Sequence, residues 1–81
     1  MTIKEQNLID ENNLRIINIE KEMRILNDIN EGYQKLILNN QVNSDEKLIL
    51  EDKMYDNLVK YSNILTEKNL CIQNIANIRN Q

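Results

Sequence analysis

No proline interrupts the 81 residues of this chain, and its only glycine is Gly32. Proline removes an amide and clashes with the preceding turn, and glycine loosens the backbone, so both break or weaken helices. A chain nearly free of them can run as long helices, and here the apolar residues recur at helical spacing. With Ile9 at heptad position a, the a positions read Ile9, Ile16, Met23, Asn30 and Ile37. The d positions read Asn12, Ile19, Leu26, Tyr33 and Asn40. Seven of these ten are apolar, which sustains a 3–4 spacing over about 32 residues. The second half repeats the pattern in a new frame, with a at Glu51, Leu58, Leu65 and Ile72, and d at Met54, Tyr61, Lys68 and Ile75. No period-two alternation, the mark of a strand, competes over a comparable length.

Local signals agree. Thr2-Ile3-Lys4-Glu5 reads as a capping box, in which the Thr2 hydroxyl accepts from the Glu5 amide and the Glu5 carboxylate returns to the Thr2 amide. A second helix start stands at Asn43-Ser44-Asp45-Glu46, where either Asn43 or Ser44 can cap and two acids follow in the first turn. Glu11–Arg15, Glu20–Arg24, Glu31–Lys35 and Asp56–Lys60 are i,i+4 pairs with the acid on the N-terminal side, the favourable orientation. Between the two patterns lies Asn39-Asn40-Gln41-Val42-Asn43, the only polar break long enough to reverse the chain. The expected architecture is all-α: a single-domain antiparallel two-helix hairpin over 1–81, coiled-coil-like, with helix 1 at about 3–39, a turn at about 40–43 and helix 2 at about 44–79. Gly32 can end helix 1 early or sit inside it. The heptad stays in phase through Tyr33 and Ile37, which favours one continuous helix.

A turn near residue 42 sets Ile9 against Ile75, Ile19 against Leu65, Met23 against Tyr61, Leu26 against Leu58, and Glu5 against Arg79. In this frame the g positions are apolar beyond what the seam needs: Leu8, Ile29 and Leu36 on helix 1, with Leu50, Ile64, Cys71 and Ile78 on helix 2. Two helices enclose no core, and a chain this short buries only about 60% of the surface it exposes when unfolded. The g-side stripe is therefore expected to bind protein, and Tyr55, off the seam, joins it as a candidate contact. The bundle would be completed by oligomerisation or by a partner.

Other chemistry finds few carriers. The chain has no histidine, tryptophan or phenylalanine and one cysteine, Cys71, so a histidine triad, a Cys/His zinc site and a disulfide scaffold are excluded. Asp28-Ile29-Asn30-Glu31-Gly32 sets its glycine one place too early for a calcium loop, and position 12 of that loop would be Asn39. Glu51 and Asp52 are adjacent and diverge on a helix. Cys71 reads as a small packing residue. No catalytic residue, cofactor or metal is expected, and no small-molecule substrate. The net charge of −3 is spread evenly, with seven acids and five bases in 1–40 and six and five in 41–81. Nucleic-acid binding needs clustered Lys and Arg, so none is expected. The longest apolar runs are three residues, against about 20 for a membrane span, and no signal-peptide core is present, so the expectation is a cytoplasmic protein without a membrane partner.

In outline the hairpin is similar to accessory hairpins of type VII secretion, although the Trp-x-Gly turn typical of those partners is impossible without tryptophan. The expected function is that of a small non-enzymatic interaction module, an adaptor, chaperone or regulator, that binds partner helices through its apolar flank. The alternatives are a self-assembling subunit forming a homodimeric four-helix bundle, or an accessory hairpin partner of a secreted substrate.

Overall fold

The computed structural model describes all 81 residues as two α-helices, α1 (Ile3–Leu38) and α2 (Ser44–Arg79), with no strand. Each helix has 36 residues, about 54 Å at 1.5 Å per residue. They lie side by side in a rod 59 × 15 × 13 Å, which is the antiparallel hairpin the periodicity predicts.

Both helix starts are capping boxes. Thr2 Oγ1 accepts from the Glu5 amide at 3.1 Å, and the Glu5 carboxylate accepts from the Thr2 amide at 3.0 Å. At α2 the structure selects Asn43 over Ser44: its side-chain carbonyl accepts from the Glu46 amide at 2.8 Å. The chain leaves α1 through a Schellman turn. Asn40 takes the left-handed conformation at φ 53°. The Gln41 amide then reaches the Leu36 carbonyl at 3.1 Å and the Asn40 amide reaches that of Ile37 at 3.2 Å. These bonds satisfy carbonyls that the helix end would otherwise orphan. Gly32 does not break the helix: it has no positive φ and lies mid-α1.

The α1 seam is the expected one. Ile9, Ile19 and Leu26 are buried, and Asn12, Ile16, Met23, Asn30, Tyr33 and Ile37 are half-buried. The α2 seam is not. Its d row, Met54, Tyr61, Lys68 and Ile75, faces α1 as expected, but the second row is Leu50, Asn57, Ile64, Cys71 and Ile78. Leu58, Leu65 and Ile72 of the expected a row are exposed instead. Two physical terms explain this rotation of α2. The expected row begins with Glu51 and, continued by a heptad, ends with Arg79, so it would drive both charges toward the seam. The observed row ends in Leu50 and Ile78. In addition, Asn30 and Asn12 on α1 need polar partners, and a seam polar group left unpaired costs about 1–3 kcal/mol. The rotation brings Asn57 to Asn30, with Asn57 Nδ2 donating to Asn30 Oδ1 at 2.9 Å, and Asn74 to Asn12 at 3.4 Å. Asn30 Nδ2 donates in turn to the Met54 carbonyl at 3.2 Å. No buried side-chain nitrogen or oxygen lacks a partner.

Candidate functional site

The rotation changes which surface is left over. Four residues expected on the free apolar flank, Leu50, Ile64, Cys71 and Ile78, are drawn into the seam, Cys71 to full burial. The single apolar flank expected from the sequence is thereby divided between the two sides of the hairpin.

On one side remain Leu8, Ile29 and Leu36 of α1, all exposed and separated by Arg15 and Glu22. The facing row of α2 on this side is polar: Lys53, Lys60, Glu67 and Asn74. Arg15 Nε donates to Glu67 Oε1 at 2.7 Å across it. That hydrogen bond, followed by the charge of Glu67, raises the affinity of Arg15 for its proton. Near the turn, Leu36 forms an apolar notch with Val42, Ile49 and Leu50.

The other side carries the larger exposed surface, and it belongs to α2. Leu48, Tyr55, Leu58, Leu65 and Ile72 follow one another at spacings of seven, three, seven and seven, so they form one stripe along the rod. They are between 36% and 67% exposed. From Leu48 to Ile72 the stripe runs about 36 Å. Its neighbours on α1 are mixed. Asn13 and Ile16 stand by Ile72 and Arg79 in one notch, and Glu20, Met23, Arg24 and Asn27 by Tyr61 and Lys68 in the next. The Lys68 ammonium lies 3.6 Å from the Glu20 carboxylate and covers the seam there. Tyr55 is thus the one expected contact residue that lies on this stripe. The signal that could have located the stripe is the charge at Glu51 and Arg79, which turns their row outward.

The i,i+4 pairs yield partly to contacts between the helices. Glu31–Lys35 forms at 3.7 Å, whereas Arg15 pairs with Glu67 rather than Glu11, and Glu20 with Lys68 rather than Arg24. At the open end Glu5 and Arg79 line a common notch without an ion pair, because the Glu5 carboxylate is held by its own cap. No group of three or more acidic or cysteine side chains could hold a metal ion. No helix is long and apolar enough to cross a membrane.

Comparison with protein-family models, with curated proteins and with solved structures finds no match.

Proposed function

We propose that the protein is an interaction module, an adaptor, chaperone or regulator of the cytoplasm, that takes up partner helices on the exposed stripe of α2. The supporting observation is the alignment of Leu48, Tyr55, Leu58, Leu65 and Ile72 on one flank of a rigid helix. Scattered exposed apolar residues are ordinary on soluble proteins, but a contiguous row is the surface that binding buries. Such a row, on one flank at mostly heptad spacing, suits an amphipathic helix, whose own stripe meets it along its length. The reaction is association alone: the module brings a preformed helical face and removes apolar surface from water.

A photoreactive residue in place of Leu65 tests this reading in the source cell. Cross-links to protein should form from position 65 and not from position 25, where Ile25 is exposed on the outer face of α1. Equal yields from both positions would reject it.

A further inference from the structure

We infer that the occupant of the α2 stripe is a second copy of this chain, packed antiparallel so that the two α2 helices meet at the centre and the α1 helices lie outside. The inference rests on the interaction reading above and names its partner.

Area supports a partner of this size. A compact monomer of 9.6 kDa exposes about 5,100 Å² by the usual scaling of surface with mass. The hairpin exposes 6109 Å². The excess of roughly 1,000 Å² is close to the ~800 Å² that each partner removes in a standard interface.

Charge chooses the second copy and its direction. Residues 44–60 of α2 carry five acids and three bases, and residues 61–79 carry one acid and two bases. A parallel pair would lay Glu51 beside Glu51 and the acidic halves together. An antiparallel pair lays the acidic half of each α2 over the basic half of the other, with Glu51 reaching toward Arg79 at both ends of the contact. The stripe also matches its own inverse. A two-fold axis between Ser62 and Leu65 sets Tyr55 opposite Ile72, Leu58 opposite Asn69 and Leu65 opposite Ser62, and at each end it brings Leu48 under the aliphatic stem of Arg79, whose charge one turn away faces Glu51. An isologous interface needs this self-complementarity, because one patch must serve both copies.

Light scattering on the full chain at low micromolar concentration tests the inference, with circular dichroism as the check on folding. The wild type should show twice the 9.6 kDa chain mass. Leu58→Asp with Leu65→Asp should give a monomer of unchanged helix content. Arg79→Glu leaves the hairpin seam untouched and should raise the dissociation constant about tenfold, because the two-fold repeats each contact and a like-charge pair replaces an opposite one. Adding Glu51→Arg to Arg79→Glu should restore it, a rescue that only the antiparallel arrangement supplies. This charge swap decides the matter even if the aspartate variant unfolds. A monomeric wild type, or a dimer indifferent to Arg79→Glu, overturns the second copy. If that monomer still cross-links to another protein from position 65, the interaction reading stands without it; if it does not, both fall.

Discussion

Asn57 Nδ2 donates to Asn30 Oδ1 at 2.9 Å, joining two residues 27 positions apart in the half of the hairpin nearer the turn. Asn30 then donates to the Met54 carbonyl, so one half-buried amide serves α2 twice. Paired amides in an apolar seam contribute little net stability, yet a slip of the helices would strand both. A double-mutant cycle should show this asymmetry. Asn30→Leu or Asn57→Leu alone should cost about 1–3 kcal/mol in urea unfolding, by leaving the other amide unpaired. The double leucine variant should recover most of that loss, giving a coupling energy of about 1 kcal/mol or more. Additive single effects would show that the two amides do not act as a pair.

Gly32 offers a stabilising change. It lies inside α1, and a Cβ built on it meets nothing within 4 Å. Gly32→Ala should therefore gain about 1 kcal/mol from helix propensity alone. In a chain of this size that raises the thermal midpoint by about 4–8 °C. An unchanged midpoint would mean that α1 is not continuous through this position in solution.

Asn40 behaves in the opposite way. At φ 53° it closes the Schellman turn, a conformation glycine and asparagine accept and other residues resist. Asn40→Ala should cost about 1 kcal/mol, and Asn40→Gly should be neutral or slightly stabilising. The pair of thermal melts checks the handedness of the turn, because loss of the side chain is common to both variants.

Glu5 ties α1 to pH. Hydrogen bonds from Thr2, its backbone amide first and its side chain second, hold the Glu5 carboxyl below its ordinary 4.5. A depressed native pKa contributes stability that is present above the unfolded value and lost as pH falls through the native one. The first turn of α1 should therefore stay capped down to pH 4.5 and fray below it. Carboxyl-carbon NMR titration should place the Glu5 midpoint below 4.5, and Thr2→Pro, which removes the donating backbone amide along with the hydroxyl, should return it toward that value. A midpoint unmoved by Thr2→Pro would exclude the cap as the cause.

Much of the hairpin was legible in the sequence because it is written in local terms. Thr2 and Asn43 with their glutamates mark the helix starts, the absence of proline leaves the rods unbroken, and the asparagine-rich turn falls at 39–43. The α1 seam was equally plain, since only one 3–4 row there is apolar. On α2 two rows compete: at their middle positions Leu58, Leu65 and Ile72 are more apolar than Asn57, Ile64 and Cys71. Those middle positions favour the first row, but the full second row, Leu50 to Ile78, is apolar at four of five places against three of five from Glu51 to Arg79. The end charges Glu51 and Arg79 therefore mark the choice within α2, and the partner that Asn30 of α1 needs adds to it. The same ambiguity misplaced the free surface, because each residue moved into the seam released one to the flank.

Ile64 is where the two frames of α2 make opposite claims. With Leu58, Leu65 and Ile72 in the seam, Ile64 would sit on a free flank, and its truncation would cost within about 0.5 kcal/mol, as exposed substitutions do. In the structure it is half-buried between Tyr61 and Lys68 of the α1-facing surface. Ile64→Ala should then cost about 2–3 kcal/mol, from lost apolar burial and an incompletely collapsed gap. Val59, exposed on the outer face of α2, is the control. Val59→Ala should change urea stability by no more than about 0.5 kcal/mol. An Ile64→Ala variant as stable as Val59→Ala would return α2 to the other frame and withdraw the stripe from the surface. A large loss at Ile64 alone places Leu58, Leu65 and Ile72 outside the hairpin seam, where a partner can reach them.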